Sequence, residues 1–210
     1  MNKKFNSGLA LILPSRKINL FMMFIIGLGI ISGAIFSVVI SDNDKSLVIE
    51  KITNYISLIN SNDINNLEVL KNTIYENIIF IILIWIFGMS IIGLIINIFF
   101  VYMKSFTISF TISSFFLVYK YKGLLLSLIY ILPSGIFTLL SYLIIGVYSV
   151  LFSMNLWRVI FIHDKSINMG KYFKKYLLIL VISLALIGIS SVFSSYVTTS
   201  LIKVFIKFFV

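Results

Sequence analysis

The chain alternates long uncharged apolar runs with short basic or mixed segments. Five runs stand out, at 19–40, 78–103, 105–119, 123–153 and 176–202. The most extreme is 78–103, IIFIILIWIFGMSIIGLIINIFFVYM, twenty-six residues without a formal charge. About 20 consecutive apolar residues cross the hydrocarbon of a bilayer. This run therefore predicts one membrane span, with Gly88, Ser90 and Gly93 as small packing residues inside it and Lys104 closing it. The run 19–40 is twenty-two residues long and ends in Val-Val-Ile-Ser-Asp. A cleaved signal peptide would have an apolar core of about 7–15 residues and then a small-residue cleavage site. An uncleaved span is the expectation. Its Gly29 and Gly33 have the GxxxG spacing that lets membrane helices approach closely, although glycine is frequent in such helices generally.

The remaining runs are less regular. Ser105 to Tyr119 alternates polar and apolar residues over its first nine positions. That period reads as a strand in a soluble protein. In a bilayer a lone strand leaves its backbone groups unpaired, so a short helix is predicted, partly re-entrant or buried in a bundle. Its hydroxyls, such as Thr107 and Thr111, then face protein or bond back to backbone carbonyls. The run 123–153 is interrupted by Pro133-Ser134-Gly135. Proline removes a backbone donor and kinks a helix, which predicts a short arm at 123–132, a kink at Pro133 and a main span at 136–153. The last run, 176–202, carries small residues at Ala185, Gly188, Ser190, Ser191, Ser194 and Ser195.

Only 41–75 reads as a sizeable extramembrane loop. Val48, Ile52, Tyr55 and Ile59 recur at helical spacing, with Glu50, Lys51 and Asn54 between them. Ser61-Asn62-Asp63 offers caps for a second helix, whose stripe is Leu67, Leu70 and Ile74. The plainer reading is two amphipathic helices lying on the bilayer or on the bundle. The sharper one is a docking surface for a partner through Tyr55, Ile59, Leu67 and Leu70.

Composition agrees with the pattern. Of the 210 residues, 60% are hydrophobic and 11% charged, and mean hydropathy is +1.10. Soluble domains carry about 25% charged residues. A transmembrane β-barrel would alternate apolar and polar residues over ~10-residue strands, and these runs are continuous. The fold class expected is an all-α integral membrane protein. It is a single domain over 1–210, a polytopic bundle of about five transmembrane helices with one amphipathic extracytoplasmic helical loop.

The net charge of +10 does not call for nucleic acid, because the basic residues flank spans, where they set topology. With the amino terminus cytoplasmic, the inner segments hold Lys3, Lys4, Arg16 and Lys17, then Lys104, then Arg158, Lys165, Lys171, Lys174 and Lys175. The outer segments hold Lys45, Lys51, Lys71, Lys120, Lys122, Lys203 and Lys207 among the acids. The bias follows the positive-inside rule.

Candidate chemistry is sparse. The chain has no cysteine and one histidine, His163 beside Asp164, so neither thiol chemistry nor a zinc ligand set is expected. No glycine-rich phosphate loop appears. A lone histidine without a nucleophile or second base does not make a catalytic set. No catalytic, cofactor or metal residue is expected, and the protein is not expected to be an enzyme. With the spans drawn as above, no ionisable residue falls in the middle of any of them. That speaks against a coupled transporter, in which such residues mark the pathway. Asn97, Ser90, Thr107 and Thr111 then serve as glue between helices.

The stretch WIFGMSIIGLIINIFFVYMKSFTISF, with Gly88, Ser90, Gly93 and Lys104, resembles the signature of the stage II sporulation protein M family. SLIYILPSGIF, with Pro133, is similar to the family's proline-interrupted helix. SMNLWRVIF, with Ser153, Met154, Leu156 and Arg158, resembles the motif that follows. There are departures. Leu94 and Ile95 stand where a proline is frequent, Ser105 where a glycine is common and Ser194 where an acid is frequent.

The resemblance implies a five-span protein of the mother-cell membrane at the sporulation septum. Its implied role is non-enzymatic: an anchor or scaffold that localises peptidoglycan-degrading partners, the stage II sporulation proteins D and P. Their action thins septal wall and drives engulfment of the forespore. The rival expectation, from another class, is a small-molecule permease or permease subunit lined by the kinked span and the hydroxyl-rich helix.

Overall fold

The structure is a computed structural model that describes residues 16–60, 65–164, 166–198 and 200–201, with the side chains of 59, 60, 130, 132 and 198 set aside. Among the described residues the chain is helical, without strands. The helices are α1 (Arg16–Val39), α2 (Asp42–Asn60), α3 (Asn66–Gly88), α4 (Gly93–Trp157) and α5 (Met169–Val192). Short π-helical turns, Arg158–Ile162 and Phe193–Thr198, extend α4 and α5. Five segments are long and apolar enough to cross a membrane: Arg16–Val39, Asn66–Gly88, Gly93–Ile129, Pro133–Ile162 and Met169–Val197.

Helix α4 supplies two of these. Its backbone leaves helical torsions at Lys120 (φ 52°, ψ −131°), and the chain turns back there. Asn97 donates to Ser149, and the Lys104 ammonium stands 5.6 Å from the Tyr142 ring, so the two halves run antiparallel. Gly123 makes the turn possible: a Cβ there would run into the Phe115 carbonyl. The second half is the central helix of the bundle. From Ser141 to Val150 every residue is buried, as expected of a helix that is apolar all round and covered on all sides. Helices α1, α3, α5 and the first half of α4 surround it and turn their bulky side chains outward, including Phe24, Ile31, Ile95 and Val181. In lipid such exposure costs nothing.

Small residues and hydroxyls hold the bundle together. A Cβ on Gly29 would lie 2.7 Å from the Tyr102 carbonyl oxygen, and one on Gly33 would run into the Phe106 carbonyl. Helix α1 thus lies backbone to backbone on α4. Ser109 donates to the Ile30 carbonyl (2.6 Å), and Ser141 to that of Ser183 (2.9 Å). With apolar lipid on one side and apolar protein on the other, close packing and such hydrogen bonds drive association.

Several boundaries differ from those the sequence predicts. The run 78–103 is not one span. Residues 89–92 form a tight turn inside it, closed by Met89 N–H to the Ile86 carbonyl (3.1 Å) and Ser90 N–H to that of Phe87 (2.9 Å). Ser153 donates to the carbonyls of Gly88 and Ser90, both at 2.9 Å. These acceptors lose helical partners where α3 ends, and in a membrane they must find others. Gly93 starts the return, since a Cβ there would collide with the Phe87 carbonyl.

The other shifts follow from this one. Helix α3 takes its first half from what reads as loop, beginning at Asn66 with Asn65 as cap to the Leu67 N–H (3.1 Å). The predicted cap at Ser61-Asn62-Asp63 lies outside the described residues. Residues 105–119 are the continuation of α4, not a separate short span. The interruption expected at Pro133 falls at Lys120 instead. Proline lacks one donor, but its φ suits a helix, and α4 runs through it.

At the end of the bundle near Lys120, α2 lies across the α4 turn. Ile52 is buried with Phe115 and Leu126, and Val48, Ile56, Val118, Tyr119 and Ile129 pack around them. The opposite end carries the 89–92 turn and the loop after Ile162. It is basic, with Arg16, Lys17, Arg158, Lys171, Lys174 and Lys175 against Asp164.

Candidate functional site

Moving the turn to 89–92 relocates two charges. Glu76 lies twelve residues before Gly88, and Lys104 eleven after Gly93. At 1.5 Å per residue, both stand about 16–18 Å from the turn, near the middle of a hydrocarbon core of about 30 Å. The expectation that no ionisable residue sits mid-span is therefore overturned. It rested on counting Lys104 as a flank and on starting the span at Ile78, after Glu76.

Both residues line one cleft of about 230 Å³ on the α2 side of the midplane, with Thr73, Asn77, Thr107, Ile108, Thr111, Ile131, Ser134, Gly135, Thr138, Ser190 and Ser194. Four helical segments contribute: α3, both halves of α4, and α5. The Lys104 stem is half-buried, and its ammonium rests 5.9 Å from the Phe80 ring and 5.6 Å from the Tyr142 ring. Cation–π contacts of this length stabilise a charge more when it is desolvated. Glu76 is exposed at the mouth of the cleft, as is Thr107. Among the described residues the ion pair is Lys45 with Asp42 at 3.6 Å. Glu76 and Lys104 face one cleft without a direct ion pair between them.

The polar wall is organised by hydrogen bonds already made. Ser190 Oγ donates to the Ser134 carbonyl at 2.7 Å and lies 2.7 Å from Thr138 Oγ1. Thr107 and Thr111 donate to the carbonyls one turn back, of Met103 and Thr107, both at 2.9 Å. Asn77 Nδ2 donates to the Thr73 carbonyl (2.8 Å), and its Oδ1 accepts from Tyr142 at 3.5 Å. These hydroxyl protons are committed, so the oxygens present lone pairs to the cleft. Lys104 is the cationic donor of the set.

Of the residues singled out from sequence, Gly88 and Gly93 bracket the turn and Ser90 lies within it. Gly88 packs under the rings of α5: a Cβ there would run into Tyr176 Oη and Ser149 Oγ. Tyr176 is itself stacked between Trp85 and Phe152, at 5.9 and 5.1 Å between ring centroids. Gly29 and Gly33 face α4, and Pro133 lies one residue from the cleft lining at Ser134. On the α2 end, Leu67 is exposed, Tyr55 and Leu70 are half-buried, and the side chain of Ile59 is outside the described ones. These positions do not form one patch with the cleft.

His163 is exposed and sits in the left-handed region (φ 56°) where the π-helical turn ends. That is a chain-turning position. Asp164 beside it accepts from the Ser166 hydroxyl (2.6 Å) and N–H (3.0 Å). Those hydrogen bonds hold its carboxyl below the ordinary range. Among the described residues no group of three or more His, Cys, Asp or Glu is placed to hold a metal.

Sequence reasoning missed Glu76, Ser134 and Thr138. A usable signal was present: Gly88, Ser90 and Gly93 divide the long run into two segments of similar length, each ending at a charge, Glu76 on one side and Lys104 on the other. Two spans sharing a glycine-marked turn satisfy the same hydropathy.

The sequence model of the stage II sporulation protein M family matches residues 20–199. The chain belongs to that family. The matched region runs from α1 through the turn that ends α5, so it takes in every wall of the cleft and all of α2. Comparison with curated proteins and with solved structures gave no match. The stage II sporulation protein M assignment makes this a sporulation-related membrane protein with several spans.

Proposed function

We propose that the chain is a non-enzymatic membrane anchor that localises peptidoglycan-degrading partners at the sporulation septum, in the mother-cell membrane. By family resemblance the partners are the stage II sporulation proteins D and P, acting in septal thinning and engulfment. The observation that carries this reading is α2, an amphipathic helix braced on the α4 turn by Ile52, Phe115 and Leu126. Away from that contact it presents Leu47 and Leu58, and the nearby start of α3 presents Leu67. An amphipathic helix docked by one face and apolar on its free side suits a protein partner. The basic opposite end supports a cytoplasmic amino terminus by the positive-inside rule, and with it the reading that α2 faces the wall.

The test is co-purification from sporulating cells in mild detergent. The wild type should bring down both hydrolases, and Leu47→Asp with Leu58→Asp should lose them at unchanged membrane levels. Absence of both hydrolases from the wild-type preparation would remove the anchor role.

A second reading, a small-molecule permease or permease subunit, is favoured by one observation. The cleft is lined by the hydroxyl-rich stretch and the residues beside Pro133, and it contains Glu76 and Lys104. Intramembrane ionisable residues mark pathways. Solute flux in proteoliposomes that depends on Lys104 would favour this reading over the anchor.

A further inference from the structure

Two opposite charges held at mid-membrane without touching are a physical problem. Desolvating an ion costs several kcal/mol even after relaxation, and a direct ion pair would recover part of it. Here the lysine is steadied by two rings, while Glu76 stands at the mouth of the same cleft. The space between the two is therefore suited to a group that carries both complementary charges.

The lining narrows the choice. At about 230 Å³ the cleft is smaller than the roughly 300–1,000 Å³ of drug-sized sites, so the occupant is compact. Ser190, Thr107 and Thr111 have donated their protons to backbone carbonyls. Their oxygens, with the Glu76 carboxylate, make an acceptor-rich wall that suits a group with several N–H donors. A primary ammonium has three; a quaternary ammonium has none. Lys104, the cleft's one cation among the described residues, suits an anion.

We propose that this cleft binds a primary ammonium linked to a nearby anionic group, the chemistry of a phosphoethanolamine headgroup. The anion meets Lys104, and the ammonium meets Glu76 and the hydroxyl oxygens. The source is either an ethanolamine phospholipid or a free solute of the same kind. The inference rests on the cleft's chemistry, not on conduction: binding without flux leaves it intact and removes only the permease reading. Recovery of the hydrolases tests the anchor role separately.

The experiment is lipid retention by the purified full chain in detergent, read by native mass spectrometry. Phosphatidylethanolamine and phosphatidylcholine of identical acyl chains are compared. They share the phosphate and differ in N–H donors. Phosphatidylethanolamine should be retained at least tenfold better. Glu76→Gln should abolish that preference, and Lys104→Gln should weaken both lipids. O-phosphoethanolamine in solution should compete if the headgroup alone is recognised; failure to compete while lipid preference persists identifies the lipid as the source. Equal retention of the two lipids by the wild type, with no O-phosphoethanolamine binding, overturns the proposal without recourse to any variant. A preference unchanged in both folded variants would mean that the lipid sits elsewhere, and overturns it too.

Discussion

Gly88→Ala is a sharp probe of how the bundle is packed, because the added methyl has nowhere to go. It would run into Tyr176 Oη and Ser149 Oγ, and lie 3.0 Å from Ser149 Cβ. Tyr176 cannot swing aside freely. Its ring lies between Trp85 and Phe152, and its hydroxyl donates to the Trp85 carbonyl at 3.1 Å. Overpacking of this kind costs about 1–3 kcal/mol, and loss of the tyrosine hydrogen bond about 0.5–1.5 kcal/mol more. Against that, alanine in place of a helical glycine gains about 0.5–1 kcal/mol. The net expectation is a destabilisation of about 1–3 kcal/mol. Gly188→Ala is the control, since no atom lies within 4 Å of a Cβ there, and it should be neutral or slightly stabilising. The assay is reversible unfolding in mixed micelles as the fraction of denaturing detergent rises, followed by the fluorescence of Trp85 and Trp157. The cause is checked by adding Tyr176→Phe and Ser149→Ala, which remove the two atoms that clash. In that background Gly88→Ala should cost at least ~1 kcal/mol less than it does alone. Equal stability of Gly88→Ala and Gly188→Ala, or no relief in the trimmed background, would refute the packing described here.

Other expectations follow from the same structure. Gly33→Ala should destabilise by about 1–3 kcal/mol, because its Cβ meets the α4 backbone at Phe106 and Phe110. Gly27→Ala, with open space around it, should not, and the same unfolding assay separates them. Asn168 caps α5 by accepting from the Lys171 N–H at 3.1 Å, so Asn168→Ala should cost about 1 kcal/mol and loosen amide protection in the first turn of α5. The carboxyl of Asp164 is held below its ordinary pKa by Ser166. A lowered folded value favours the folded loop above the unfolded pKa and loses that contribution as pH falls through the folded one. An NMR titration should place Asp164 below a free aspartate, and Ser166→Ala should bring it back up. Alkaline phosphatase fused after Glu68 should be active if the α2 end faces outward; an inactive fusion would invert the proposed orientation.

The class of fold was legible in the sequence because it depends on sums. Hydropathy over some 20 residues decides that a segment lies in the membrane, whatever its neighbours do. Register was less legible. A turn inside an uncharged run needs no polar residue when a distant side chain satisfies its carbonyls, and here that side chain is Ser153, more than sixty residues from Gly88 and Ser90. No local pattern announces a partner so far away. The GxxxG of Gly29 and Gly33 could be seen, but not the surface it meets on α4. Pro133 was read as the break because proline usually marks one. Lys120 reverses the chain although nothing in its type favours a positive φ, and the glycine that permits the turn stands three residues later.

The same shift of register carries the functional difference. A lysine at the end of a span is a topological marker and costs little, because its head reaches water. The same lysine eleven residues into a helix must be steadied by rings, water, a carboxylate or a ligand. Lys104 has the rings of Phe80 and Tyr142 within 6 Å and a carboxylate across the cleft. Only one of these contacts comes from its own helix, and Tyr142 is thirty-eight residues away even there. Flank and interior lysines thus look alike in sequence and differ by the position of one turn. What distinguishes them is the polar face opposite: Ser134 and Thr138 on α4, Ser190 on α5 and Ser194 in the turn that extends it are aligned with Lys104 only when the spans are folded at 89–92. A cleft assembled from four helical segments around such a lysine places its chemistry in the tertiary packing, and charge-preserving substitution of Lys104 by Arg should therefore fail to restore whatever binding Lys104→Gln removes, because the larger planar head does not fit between the two rings in the same way.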